Sequence, residues 1–163
     1  MASSSSFDIV SKFDRQELRN ALDQARRDIG NRYDLKDTNT VIDEGEDEFT
    51  ITTASEYSLN AAKDIIESKV IGRKISLKIL DYQGEEDASG GRKRQVVKLR
   101  EGLGDEIAKK ISKEIRDNFK KAKPQIQGDT VRVQAKSRDE LQEVIQLIKS
   151  QDWPVALQFV NYR

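Results

Sequence analysis

Phe49-Thr-Ile-Thr-Thr-Ala-Ser55 and Val131-Arg-Val-Gln-Ala-Lys-Ser137 are the stretches on which the fold turns, because each is an alternating strand that runs into a helix-capping serine. They superpose when the sequence is slid by 82 positions, and the same shift lays Leu59 on Leu141, Ala62 on Val144 and Ile66 on Ile148. A period of about 80 residues is too long for a solenoid unit and suits one small domain, so the chain reads as a domain copied once. The copies are residues 1–90 and 91–163.

Working outward, the same elements recur in both copies. Residues 6–13 alternate as a strand, and Asp14 caps a helix with Glu17 in capping-box position and Gly30 as its stop. Leu18, Ala21, Leu22, Ala25 and Ile29 form its inward stripe. A hairpin joins 40–43 to 48–53, Ser55 opens a second helix ending at Gly72, and 75–82 is the next strand. Residues 83–91, polar and glycine-rich, read as the linker. In the second copy 95–100 is a strand and 105–119 a helix. Strands 125–127 and 130–135 pair across Gly128-Asp129, Ser137 with Glu140 caps another helix, and 156–163 is the last strand. Each half is therefore β-α-β-β-α-β, an α+β ferredoxin-like arrangement with both helices on one face of a four-stranded sheet.

Composition narrows the chemistry. The 163 residues contain no His and no Cys, and 29 Lys+Arg balance 29 Asp+Glu. Without those two side chains, Ser-His and Cys-His catalysis and the commonest zinc ligands are excluded, and no disulfide framework exists. No GxxxxGK[ST] or GxGxxG pattern occurs. No apolar run approaches the roughly 18 residues of a membrane span, and no signal-peptide core follows Met1. The expectation is a cytoplasmic protein that is not an enzyme and carries no cofactor. Ala2-Ser-Ser-Ser-Ser6 reads as a polar tail without structure.

Charge is balanced in total but divided along the chain. Residues 1–90 carry 12 Lys+Arg and 19 Asp+Glu, and residues 91–163 carry 17 and 10, a net of −7 followed by +7. Alternation places Arg94, Lys98 and Arg100 on one face of a strand, where they repel unless an acidic neighbour or a phosphate lies opposite. Arg132 and Lys136 project together from a second strand, Arg138 opens the following helix, and Arg32 stands in the loop after the first helix. These seven are the candidate ligand-binding residues, and ordinary solvated polar positions are the competing reading. Tyr33, Tyr82, Phe159 and Tyr162 are possible base platforms. Thr50, Thr52, Arg132 and Gln134 on the open sheet faces lack the aromatics of a typical RNA-recognition sheet. The acidic turn 43–48 lacks the spacing of a calcium loop, so no metal site is expected.

Several strings are familiar as a set. Ser6-Phe-Asp-Ile-Val-Ser11, Arg32-Tyr-Asp-Leu-Lys36, Lys98-Leu-Arg-Glu-Gly102, Gln125 to Val133, Lys136 to Gln142 and Leu157-Gln-Phe-Val-Asn-Tyr-Arg163 resemble, in order, the bacterial YajQ family of nucleotide-binding proteins. The resemblance implies tandem ferredoxin-like domains that exchange first strands, with 6–13 completing the second sheet and 95–100 the first. It also implies nucleotide binding without catalysis, to cyclic di-GMP in some members and to GTP or transfer RNA in others. Asp37 departs from the pattern, since a glycine often follows that Arg-aromatic-Asp-aromatic-Lys stretch. Three functions stay open: a non-enzymatic binder of cyclic di-GMP or GTP with a regulatory role, an RNA binder using the basic half, and a protein-interaction module without a small ligand.

Overall fold

The computed structural model describes residues 4–163. Along the chain it places β1 (Ser5–Val10), α1 (Arg15–Asn31), β2 (Val41–Glu44), β3 (Glu48–Thr53) and α2 (Glu56–Gly72). A 3-10 turn at Leu77–Ile79 leads to β4 (Leu80–Ala88), and Ser89–Gly91 turns the chain into β5 (Arg92–Leu99). Then come α3 (Gly104–Asn118), β6 (Lys123–Gln127), β7 (Thr130–Ala135), α4 (Arg138–Lys149) and β8 (Gln158–Val160). Of the serine-rich start, Ser5 and Ser6 belong to β1 rather than to a tail, while Ala2 and Ser3 lie outside the described residues.

Two four-stranded antiparallel sheets result, in the orders β2-β3-β5-β4 and β6-β7-β1-β8. This is the α+β ferredoxin-like architecture in duplicate, with the first strands exchanged. β5 lies between β3 and β4, and β1 lies between β7 and β8. The compact units therefore do not follow the sequence repeats. One unit is Phe13–Arg100, and the other is Glu101–Arg163 together with the segment ending at Lys12.

In the Phe13–Arg100 unit the core is the stripe Leu18, Ala21, Leu22, Ala25 and Ile29 of α1. It packs with Leu59, Ala62, Ile66 and Val70 of α2 over Phe49, Ile51 and Val97 of the sheet. The Asp14 carboxylate caps α1 by accepting from the Gln16 and Glu17 amides. Glu17 does not close a capping box; it accepts from Asn20 and pairs with Arg73 at 3.3 Å. Gly30 does not stop the helix either. Its φ is not positive, and the Arg32 amide still donates to Asp28 O at 2.9 Å. The segment 83–91 is a hairpin, not a linker. Asp87 lies opposite Lys93 and Glu86 opposite Arg94, so cross-strand ion pairs extend β4 through polar residues.

In the other unit Phe7 and Ile9 of β1 are fully buried with Val131 and Val133 of β7, under Ala108, Ile111 and Ile115 of α3 and Leu141, Val144 and Ile148 of α4. β8 is shorter than the expected 156–163. At Asn161 φ is +57°, and beyond that kink Ser6 and Arg163 exchange two main-chain hydrogen bonds of 3.0 Å.

Candidate functional site

The cations singled out in the sequence fall into two groups. On β5, Val97 is buried while Arg94 and Lys98 are exposed on the opposite face, as alternation requires, and Arg100, one residue past the strand, is exposed as well. That face supplies its own counter-ions. Arg94 donates to Glu86 at 2.9 and 3.2 Å, Arg100 lies 3.1 Å from Asp81, and Lys98 stands in register with Glu48 on one side and Asp81 on the other. Arg32 grips Asp34 through two hydrogen bonds of 2.7 and 3.0 Å. Donation by the Tyr57 hydroxyl, then by Arg32, holds the Asp34 carboxyl below its ordinary range. Arg132 forks onto Asp8 at 2.9 and 3.4 Å, and Asn161 adds a third donor at 2.8 Å. The Arg132 hydrogen bond keeps Asp8 ionised against the burial that opposes it. Lys136 and Arg138 form no ion pair with a described residue, and unlike Lys98 neither has an acidic residue in strand register beside it.

Arg138 lines a cavity of about 340 Å³ that is built wholly within the second unit. Ser5 and Ser6 at the start of β1 form one wall. Arg138, Leu141 and Gln142 from the first turns of α4 form another, and Tyr162 and Arg163 after β8 form the third. Ser137 fixes the α4 wall by capping the Glu140 amide at 3.2 Å. The Tyr162 ring is held by stacking on buried Phe7, with centroids 6.1 Å apart and an interplanar angle of 27°. No Asp or Glu side chain lines the space; Arg138 forms no ion pair with a described residue, and Arg163 acts electrostatically on Asp8. A larger depression of about 500 Å³ beside α2 is lined by Lys69 and Arg73, but Lys69 is paired with Asp28 at 2.8 Å and Arg73 with Glu17. Arg138 thus brings a guanidinium to a concave site that no Asp or Glu side chain lines, while Arg163 also acts electrostatically on Asp8.

Among the possible platforms, Tyr162 alone lines this cavity. Tyr82 is half-buried and donates its hydroxyl to Glu67, which with desolvation pushes its pKa up. Phe159 packs at 6.0 Å from Phe7, and Tyr33 is 90% exposed. The acidic turn is drawn to Arg15, which donates to Glu46 O at 2.6 Å and pairs with Asp47 at 3.0 Å. Asp37 does not have a positive φ, so its backbone does not require the glycine found there in the resembling pattern. Sequence reasoning missed Arg163, Ser5, Ser6 and Gln142 as cavity residues, because only the pairing of β1 with the chain beyond β8 brings them to Arg138.

A family model described as nucleotide-binding protein YajQ-like matches residues 5–163. The chain belongs to that family. It is 61% identical over 163 residues, the full length of both chains, to a protein of Synechococcus sp. (strain JA-3-3Ab) named nucleotide-binding protein. Relatives of the same description, again over the full length of both chains, come from Trichodesmium erythraeum (strain IMS101) at 58% identity and Acaryochloris marina (strain MBIC 11017) at 56%. Among the described residues no helix of this family member is long and apolar enough to cross a membrane.

Proposed function

We propose that this protein binds a nucleotide in the cavity between β1, α4 and the chain after β8, and leaves it chemically unchanged. The observation that carries this reading is that Arg138 and Arg163 line one cavity to which no Asp or Glu side chain contributes. Guanidinium groups match phosphate oxygens in fork geometry, and a lining without Asp or Glu side chains favours an anion. Tyr162 and Leu141 offer a base an aromatic and an apolar surface, while the Gln142 amide and the serine hydroxyls supply hydrogen-bonding groups at the rim. Full-length membership in a family described as nucleotide-binding supports the same class of ligand. Cyclic di-GMP is the first ligand to test and GTP the second, with the cytoplasm as the place of action.

The lining also argues against turnover. It holds Ser5 and Ser6 but no Asp or Glu side chain, and the chain has no histidine or cysteine, so neither hydroxyl has one of the usual side-chain bases beside it in the lining. Titration calorimetry with cyclic di-GMP and GTP tests the proposal, followed by recovery of the ligand after long incubation with magnesium. Arg138→Ala is expected to weaken binding by about 1.5–3 kcal/mol, the worth of a hydrogen bond to a charged group. The double variant Lys98→Ala, Arg100→Ala is expected to bind as the parent does. Binding lost in the double variant and kept in Arg138→Ala would move the site to the β5 face. Binding of neither nucleotide would overturn the proposal.

A further inference from the structure

We propose that an anion held in this cavity fastens the outer end of the exchanged strand β1, so that ligand occupancy is read out as the docking of Ser5–Phe7. The inference rests on the nucleotide reading in using the same cavity, but it concerns what binding does to the chain. Two of the three cavity walls are the outer end of β1 and the stretch beyond Asn161, and these hold each other. Ser6 and Arg163 exchange both main-chain hydrogen bonds at 3.0 Å, and Phe7 lies under the Tyr162 ring. The third wall, α4, is anchored by its own buried face of Leu141, Val144, Ile145 and Ile148.

Charge sets the direction of the coupling. Closing these walls brings Arg163 to the cavity that Arg138 already lines, with no Asp or Glu side chain among the lining residues. A phosphate that accepts from both guanidiniums ties the α4 wall to the stretch after Asn161 and so favours the closed arrangement. If the end of β1 frays with the stretch after Asn161, the serines and Arg163 leave Arg138 and the ligand loses two of its three walls. A ligand with different affinity for the docked and frayed forms must shift their balance. The inner part of the strand has no such freedom, because Phe7 and Ile9 are fully buried in the core. The opening is local, of the kind that hydrogen exchange reports.

The test is hydrogen–deuterium exchange by mass spectrometry on the full chain, with GTP, cyclic di-GMP and inorganic pyrophosphate as separate probes and calorimetry on the same samples. For a probe that binds, amides at 5–7 and 161–163 are expected to slow by about 100-fold at a hundred times its Kd. Amides of α3 and of β3 are expected to change far less. Binding heat without slowing at 5–7, or equal slowing throughout the unit, overturns the strand-fastening inference and leaves nucleotide binding standing. Slowing with pyrophosphate when neither nucleotide binds overturns the nucleotide reading and keeps the fastening by anions. No heat and no slowing with any probe overturns both.

Discussion

Asp8 and Arg132 form an ion pair in register across the strands β1 and β7, and their two sides are unequally exposed. The Asp8 side chain is 6% exposed and that of Arg132 is 29%. Removing the arginine strands a buried carboxylate, whereas removing the carboxylate leaves a guanidinium that still reaches water. Arg132→Met is therefore expected to cost up to about 3–5 kcal/mol, the penalty for a buried charge that loses its partner, less what the Asn161 hydrogen bond still supplies. Asp8→Asn is expected to cost about 1.5–3 kcal/mol, one charged hydrogen bond lost without a stranded charge. Both losses should depend on pH with a definite sign. The folded Asp8 pKa is depressed, first by the Arg132 hydrogen bond. Its contribution is thus complete above the unfolded value of about 3.9 and lost as pH falls through the lower folded value. Urea denaturation at pH 7 and again near pH 3 should show both variants approaching the parent in acid. Equal costs for the two variants at pH 7 would contradict the asymmetry of burial.

The β4–β5 hairpin is the element that sequence reading described least well. Glu85, Glu86 and Asp87 look like linker residues because their ion-pair partners, Lys63 of α2 and Arg94 and Lys93 of β5, come to them only once the chain is folded. Helices behaved differently. The inward stripes of α1 and α2 and the caps at Asp14, Ser55 and Ser137 are set by neighbours three or four residues away, so they were legible. The hairpin turn gives a prediction at this scale. Gly91 has φ +74°, a left-handed conformation that an L side chain resists, so Gly91→Ala is expected to cost about 1–2 kcal/mol. Gly84 lies inside β4 without a positive φ and with open space around its missing Cβ. Gly84→Ala is expected to be neutral or to stabilise by about 0.5–1 kcal/mol. Chemical denaturation of the two variants checks the pair. A destabilised Gly84→Ala beside an unaffected Gly91→Ala would mean that 83–91 behaves as a linker.

At the scale of the whole molecule, the exchange of first strands decides what is continuous in space. Two repeats were legible from periodicity, but the exchange came from family resemblance, because a strand's alternation does not say which sheet it joins. The candidate site follows the same logic. Arg138 was legible as a cation opening a helix, and Tyr162 as a possible platform, yet they share a cavity with Arg163 only because β1 pairs with β7 and β8. A fragment experiment puts this topology to the test. Residues 13–100 are one unbroken stretch that holds α1, α2 and the complete sheet β2-β3-β5-β4 over a single core. That fragment is expected to be soluble and to melt cooperatively. Residues 1–90, although they span one whole sequence repeat, lack β5, which pairs with β3 through six residues and with β4 through seven. They also retain β1 without β7 or β8. Unpaired backbone groups on β3, β4 and β1 would invite association between molecules, so this fragment is expected to aggregate. Light scattering and circular dichroism during thermal melting distinguish the outcomes. Cooperative melting of 1–90 as a monomer would require β1 to fill the place that β5 occupies, and would show that the sequence repeat, rather than the 13–100 stretch, is the unit that folds.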